Sequence, residues 1–239
     1  MHEETFGQLQ ARVAGGPDRE GGGDGPVVVL LHGFGAPGDD LAHLWRILDV
    51  PRETRFVFPV GPLSFNMGLG ESRAWWMIDV ERLEAQLAAG EMRDLSSGMP
   101  EGADQAREML DTLLDDVQDR LGVSSDRLVL GGFSQGAMLS CDLVLRTDRQ
   151  VAGLVLMSGT LLAEAEWVPL MKKRQGLRVL QSHGMQDPLL PFAVAERLRD
   201  HLSSAGLRVE WVQFHGGHEI PDSVIDRLGA FITDVAGGP

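Results

Sequence analysis

The ten residues RLVLGGFSQG, numbers 127–136, decide how the rest of the chain is interpreted. Their apolar first half is typical of a buried strand, and a helical pattern over 134–145 follows directly. Between the two lies Gly132-Phe133-Ser134-Gln135-Gly136, which matches G-x-S-x-G. The turn from strand to helix is so tight that a Cβ beside the serine would collide with neighbouring elements. The stretch therefore predicts a nucleophilic Ser134 at the start of a helix.

Working outward from this stretch, apolar strand patterns alternate with amphipathic helix patterns along the chain. The run 27–31 is apolar throughout, as a strand buried on both faces would be, and Leu9, Ala11 and Val13 alternate like an edge strand. This rhythm predicts an α/β fold over 1–239: one domain with a mostly parallel central sheet, helices on both faces and no large cap. Residues 63–98 are irregular, and we expect them to form a lid or part of the substrate groove. Further strands are expected at 55–60, 151–157, 177–182 and 208–214, and further helices at 80–89, 102–121, 192–203 and 223–235.

A serine hydroxyl needs a general base, and in this kind of fold the chain order is serine, acid, histidine. Two histidines, His215 and His218, come just after the last strand, where a loop can place an imidazole beside Ser134. We favour His218 because Gly216-Gly217 gives the chain freedom to position it. His183 ends a strand and is expected to hydrogen-bond the loop that follows, while His201 is expected to face solvent.

Asp187 is the predicted partner of the base, since it follows the strand that precedes the histidine strand. Glu164 and Glu166 are the fallback acids. The oxyanion hole is expected to use the backbone N–H groups of Phe34 and Gln135, the first from the loop after an early strand and the second from the helix start. His32, at the start of the same early loop, is expected to be structural.

Charge and composition exclude several classes of function. The net charge of −14 argues against binding nucleic acid or anionic membranes through a broad basic surface, and the short basic run 172–174 is expected to be a solvated loop. A single cysteine, Cys141, leaves no intramolecular disulfide, and no cluster has metal-ligand spacing, so no metal site is predicted. No signal peptide is recognised, and the apolar runs are too short to cross a bilayer. A cytoplasmic location and no stable membrane insertion are expected.

Taken together, these residues resemble the carboxylesterase and acyl-protein thioesterase (phospholipase/carboxylesterase) family of α/β-hydrolases. The resemblance implies hydrolysis of carboxylic esters or thioesters through an acyl-enzyme, without a metal or organic cofactor. It also implies that Trp75 lines the acyl pocket, and Trp76 is a second candidate there. Two departures near the expected groove put the substrate class in doubt: the stretch 80–100 is longer, and Trp76-Met77 replaces an aromatic-acidic pair. The matching segments are 31–35, 58–59, 73–76, 132–136, 183–187 and 217–219.

The function expected from the sequence is hydrolysis of short- to medium-chain acyl esters. A lysophospholipase or an acyl-protein thioesterase is the alternative, since the same residues would serve a different leaving group. A hydrolase-fold binding protein without catalysis is disfavoured because Ser134, Asp187 and His218 are all present. The expected partner is a small ester or thioester substrate, with no nucleic acid, and a homodimer is possible.

Overall fold

A computed structural model of the chain describes residues 1–66, 70–89 and 94–236, without the side chain of Leu87. Within these residues, eight strands form one sheet in the order β1-β2-β4-β3-β7-β8-β9-β10. Strands β4, β3, β7, β8, β9 and β10 run parallel to one another. At one side of the sheet β2 pairs antiparallel with β4, and β1 pairs antiparallel with β2. These strands are β1 (His2–Phe6), β2 (Leu9–Gly15), β3 (Val27–Leu31), β4 (Arg55–Pro59), β7 (Leu128–Phe133), β8 (Gly153–Met157), β9 (Arg178–Gly184) and β10 (Arg208–Phe214).

Helices cover both faces of this sheet, and a two-stranded hairpin lies outside it. Two apolar clusters result, one on each face, because the parallel strands are apolar on both sides and need cover on both. Helices α3, α4 and α6 pack on one face and α7 on the other. The elements are the hairpin β5 (Leu63–Asn66) and β6 (Glu71–Ala74), with helices α1 (Leu44–Ile47), α2 (Val80–Ala88), α3 (Ala103–Leu121), α4 (Gln135–Arg146), α5 (Glu164–Met171), α6 (Phe192–Ser204) and α7 (Asp222–Ala236).

Two expectations about the fold are wrong. The strand β2 is not at the edge of the sheet, because the polar segment His2–Phe6 folds back on it through a turn at Gly7, whose φ is +57°. The basic run 172–174 is not a solvated loop throughout. It forms a 3₁₀ turn in which Lys172 and Lys173 are exposed but Arg174 is 7 % exposed.

The expected helix over 80–89 is confirmed as α2, and the fully buried strand over 27–31 as β3. Of the proposed lid segment 63–98, the residues Met67 and Leu69 lie outside the described part of the chain. Among the described helices, none is long and apolar enough to cross a membrane.

Candidate active site

Ser134 lies in the turn between β7 and α4, and its backbone is in an unusual conformation. Its φ of 54° and ψ of −115° lie in a region that residues with a side chain rarely adopt. Such strain is characteristic of functional positions and needs support from the surrounding structure. Part of that support is the Ser134 N–H, which donates to the Met157 carbonyl on β8 at 2.8 Å.

The glycines of the motif are explained by how closely the turn approaches β3. A Cβ on Gly132 or on Gly136 would overlap the carbonyl oxygen of Leu31, the last residue of β3. Helix α4 can therefore start directly above the sheet, so that its N-terminal dipole points to the space beside Ser134.

Asp187 and His218 meet because the loops after β9 and β10 lie side by side. The Met185 N–H donates to the Phe214 carbonyl, and the Gln186 N–H to the Gly216 carbonyl, both at 2.9 Å. A Cβ on Gly184 would overlap the carbonyl oxygen of Gly217, so only glycine allows the loops to pack so closely. The result is a 2.7 Å hydrogen bond between His218 Nδ1 and Asp187 Oδ2.

The Asp187 carboxylate is fully enclosed but well supplied with donors. Its Oδ1 accepts the backbone N–H groups of Leu189 at 2.9 Å and Leu190 at 3.0 Å, in addition to the His218 bond at Oδ2. Burial opposes ionisation, but the bonds from His218 and the two amides outweigh it and lower the pKa of Asp187 below its usual value. The site therefore holds a carboxylate anion beside the imidazole.

His183 is a second neighbour of this carboxylate. Its buried ring lies with Nε2 2.9 Å from the Leu190 carbonyl and 3.3 Å from Asp187 Oδ2. Burial lowers the pKa of His183, so the ring is neutral, and the carbonyl acceptor requires the proton on Nε2. The expected bond from His183 to the following loop is confirmed, and the contact with Asp187 adds to it.

The two predicted oxyanion donors lie close to the serine. Phe34 lines the same cavity as Ser134, and a Cβ on Gly33 would stand 3.3 Å from the Ser134 Cβ. Gln135 is the first residue of α4, where the backbone N–H has no acceptor within the helix. The loop that follows β3, here called the early loop, is fixed by His32. The Nδ1 of His32 donates to the Gly33 carbonyl at 2.8 Å, and its Nε2 accepts the Gly61 N–H at 2.9 Å.

Trp75 and Trp76 do not line this cavity, which corrects the expectation that they do. Their exposures are 2 % and 3 %, and both belong to the apolar core. The Trp75 indole N–H donates to the His32 carbonyl at 3.0 Å. The Gln135 side chain accepts the Trp75 backbone N–H at 2.9 Å and donates to the Trp76 carbonyl at 2.8 Å. The tryptophans thus connect the early loop to the start of α4.

This placement predicts how a Trp75→Phe variant behaves. The substitution keeps most of the ring volume but removes the hydrogen bond to the His32 carbonyl, so it acts on the early loop and not on the acyl chain. We expect kcat to fall by the same factor, roughly tenfold, on acetate and on octanoate esters. A fall in kcat confined to the octanoate ester would indicate that Trp75 lines the acyl pocket.

The cavity beside Ser134 is small and mostly apolar. Its volume is about 140 Å³, and Ser134 and His218 lie on the same wall as the Phe133 ring, whose centroid is 4.8 Å from that of His218. Residues from the segment 63–98 form another part of the wall. The remaining lining residues are Gly33, Phe34, Ala36, Asp40, Ile78, Leu83, Met138, Leu189 and Leu190.

Several of these lining residues were missed by the sequence reasoning, although some signals were available. Met138 is four residues after Ser134 on a helix, and therefore lies on the same face. Leu189 and Leu190 follow Asp187 closely, in the loop that holds it. Ile78 and Leu83 carried no comparable signal, because their contact with the cavity depends on how the segment folds back.

The other candidate acids and bases lie elsewhere. His201 is partly exposed to solvent, and its Nε2 is 2.8 Å from Glu164 Oε1. Glu166 lies 3.6 Å from Arg146, and His215 is exposed. Among the described residues, no group of three or more potential ligands is arranged to hold a metal ion. Cys141 is buried in α4, and burial raises the pKa of its thiol.

The two buried histidines predict an acid-sensitive fold. Burial lowers the pKa of His32 and of His183 below the value of 6.5 expected in the unfolded chain. Below pH 6.5 the unfolded chain therefore binds protons that the folded chain does not, and the free energy of unfolding falls with decreasing pH. Each histidine contributes a slope of up to about 1.4 kcal/mol per pH unit. Urea unfolding between pH 7.5 and 5.0 measures this slope.

The matched variants are His183→Asn and, as a control, His43→Gln at an exposed position. We expect the first to flatten the pH dependence of the free energy of unfolding and the second to leave it unchanged. An unaltered slope in His183→Asn would contradict a neutral, buried ring.

A mostly parallel sheet with helices on both faces and a G-x-S-x-G turn at the carboxyl ends of its strands defines an α/β-hydrolase. Residues 21–236 match the Phospholipase/Carboxylesterase family. The chain therefore belongs to this family of α/β-hydrolases, whose members are serine hydrolases that cleave carboxylic esters or thioesters.

Individual relatives agree with this assignment. Acyl-protein thioesterase 1 of Neurospora crassa is 25% identical over 218 residues, which cover 87% of this chain and 86% of that protein. Acyl-protein thioesterase 1 of Gibberella zeae is 27% identical over 217 residues, covering 86% and 88%. The crystal structure of esterase PE8 has a TM-score of 0.76 at 28% identity, with 95% of this chain and 99% of that chain covered. The Bacillus cereus carboxylesterase, at 20% identity and a TM-score of 0.70 over 95% and 94% of the two chains, shares the fold.

Proposed function

We propose that the chain hydrolyses short- to medium-chain carboxylic esters through an acyl-enzyme formed on Ser134. The observation that carries this proposal is the Asp187–His218 pair, bonded at 2.7 Å, beside a strained serine in a small apolar cavity. A serine, an imidazole and a buried carboxylate in this arrangement are the parts that acyl transfer requires.

In the proposed reaction, the Ser134 Oγ attacks the ester carbonyl carbon while its proton passes to His218 Nε2. The bond at Nδ1 to Asp187 fixes the tautomer that leaves Nε2 free to accept that proton. The N–H groups of Phe34 and Gln135 stabilise the negative charge that forms on the carbonyl oxygen. The intermediate then collapses, and the alcohol leaves with the proton from His218. Water attacks the acyl-enzyme with help from the same imidazole, which releases the acid and restores Ser134.

The size of the cavity sets the proposed acyl length. A volume of about 140 Å³ is close to that of apolar protein cavities that accommodate benzene, so an acyl chain of about six carbons fits. The apolar side chains of Ile78, Leu83 and Met138 would contact that chain. The segment 63–98 is accordingly proposed as part of the substrate groove within a single domain.

The experiment is a profile of kcat/KM over p-nitrophenyl esters from acetate to decanoate. We expect an optimum between butyrate and hexanoate, followed by a decline as the chain outgrows the cavity. A profile that keeps rising to decanoate would contradict the proposed acyl cavity. An acyl thioester and a lysophospholipid are measured alongside, because they separate the proposed carboxylesterase from the two alternative activities.

Truncation of the cavity wall provides a sharper prediction. Met138→Ala enlarges the cavity, and each additional buried CH₂ of substrate then favours binding by about 0.8 kcal/mol, roughly fourfold. We expect the octanoate-to-butyrate ratio of kcat/KM to rise by about that factor or more. Met109→Ala, a truncation on α3 outside the lining residues, is the control and should leave the ratio unchanged.

An acyl-protein thioesterase is the second candidate, because the relatives from Neurospora crassa and Gibberella zeae both carry that name. The proposed chemistry is the same, with a thiolate leaving group in place of an alkoxide. A thioester kcat/KM well above that of the oxygen ester of equal chain length would favour it. The cytoplasmic location and the homodimer remain predictions from the sequence.

A further inference from the structure

Arg174 is a buried cation that forms no ion pair with any described residue. It is 7 % exposed, and its guanidinium donates to the Thr147 carbonyl, while its Nε has no hydrogen-bond partner. Burial lowers the pKa of Arg174, and the charge of Asp148 opposes this shift without forming an ion pair with the guanidinium. A buried charge with so few hydrogen bonds and no ion pair is costly.

Arg55 shows how the same chain stabilises a buried guanidinium when the role is structural. It is 1 % exposed, and all three of its nitrogens donate to backbone carbonyls, those of Gly25 and Leu121. Arg174 lacks such a set of acceptors. The difference indicates that Arg174 is placed for a group that the chain itself does not supply.

Arg174 lines a cavity of about 320 Å³, and the charged side chains that line it within the described part of the chain are all basic. Two of them, Arg149 and Arg178, are already paired with aspartates outside the cavity. The other two, Lys173 and Arg208, are exposed and form no ion pair with any described residue. In a chain with a net charge of −14, three cations around one cavity that form no ion pair with a described residue are a local reversal of the overall charge.

The cavity is separate from the candidate active site. It lies where β8, β9 and β10 begin, beside Ala152, Leu177 and Arg208, whereas Ser134 and His218 lie where the parallel strands end. Strand β9 is seven residues long, so about 20 Å of sheet separates the two.

We propose that this cavity binds a phosphate group, as inorganic phosphate or as the monoester of a small metabolite. A phosphate carries up to two negative charges and several acceptor oxygens, which match a guanidinium fork and two further cations. The volume exceeds what phosphate alone requires, and the side chains of Gln150 and Gln175 offer neutral polar contacts to an attached organic group.

The test is isothermal titration calorimetry of the full chain with sodium phosphate and with glucose 6-phosphate, at constant ionic strength. We expect saturable binding of at least one of them, and Arg174→Gln should weaken it roughly tenfold or more. Tighter binding of glucose 6-phosphate would assign the cavity to a phosphomonoester, and equal or weaker binding would assign it to inorganic phosphate. No saturable binding of either would overturn the proposal.

The double variant Lys173→Gln/Arg208→Gln repeats the test at exposed positions, where folding is not at risk. Lys172→Gln is its matched control, because Lys172 is exposed on the same turn but does not line the cavity. We expect the double variant to weaken phosphate binding roughly tenfold and the control less than twofold. If Lys172→Gln weakens binding as much as the double variant, the attraction is unspecific and the proposed site is wrong.

Discussion

Replacing Ser134 by alanine is expected to lower kcat for ester hydrolysis by a factor on the order of 10⁶. The reason is that Ser134 is the proposed nucleophile and no second hydroxyl is proposed for that role. The fold should remain intact, because alanine is smaller than serine and the backbone bond from residue 134 to Met157 is kept. Initial rates on p-nitrophenyl butyrate, with circular dichroism as a check on folding, measure the effect.

A matched pair of variants, His218→Ala and His215→Ala, tests the assignment of His218 as the general base. His218→Ala should lower kcat nearly as much as Ser134→Ala, since the members of such a unit act together. His215→Ala should keep almost full activity, because His215 is exposed and Asp187 bonds His218 instead. If the two variants behaved the opposite way, the base would be His215.

The second large effect is expected for Asp187→Asn. An asparagine can present its carbonyl oxygen or its amide N–H₂ to His218 Nδ1, and the amide would favour the tautomer with its proton on Nε2. A base protonated at Nε2 cannot accept the serine proton, so kcat should fall by about 10³- to 10⁴-fold. Binding of the ester should change much less, because Asp187 is not among the residues that line the cavity.

Glu164→Gln is the control for this prediction. Glu164 also bonds a histidine, His201, at 2.8 Å, but that pair does not line the cavity beside Ser134. The control should therefore retain kcat within about twofold. A greater loss of kcat in Glu164→Gln than in Asp187→Asn would assign the orienting acid to Glu164.

Much of the fold, and the residues Ser134, Asp187 and His218, could be predicted because they depend on short patterns in the sequence and on chain order. The run 27–31 is apolar throughout, which is typical of a strand covered on both faces, and the structure shows it so. Ser134 could be located because a tight turn needs glycines at fixed spacing. The Asp187–His218 contact follows from chain order, since the carboxyl ends of neighbouring parallel strands lie together.

The errors concern features that depend on packing between distant segments. Trp75 is a large aromatic residue of the kind that often lines pockets. Its orientation, however, is set by hydrogen bonds to His32 and Gln135, which lie far away in sequence. The short polar strand β1 was missed because its pattern is weak, and only its pairing with β2 stabilises it. The burial of Arg174 was unforeseen for the same reason, since charge runs are usually solvated.

The central claim, that Ser134 is an activated nucleophile, is tested most directly by covalent labelling with a fluorophosphonate. The site of labelling is read from the intact mass and from the masses of proteolytic peptides. We predict one phosphonyl group per chain, on the peptide that contains Ser134, no label on Ser134→Ala, and much slower labelling of His218→Ala. Label on another residue, or an unlabelled Ser134 in protein that hydrolyses esters, would contradict the account.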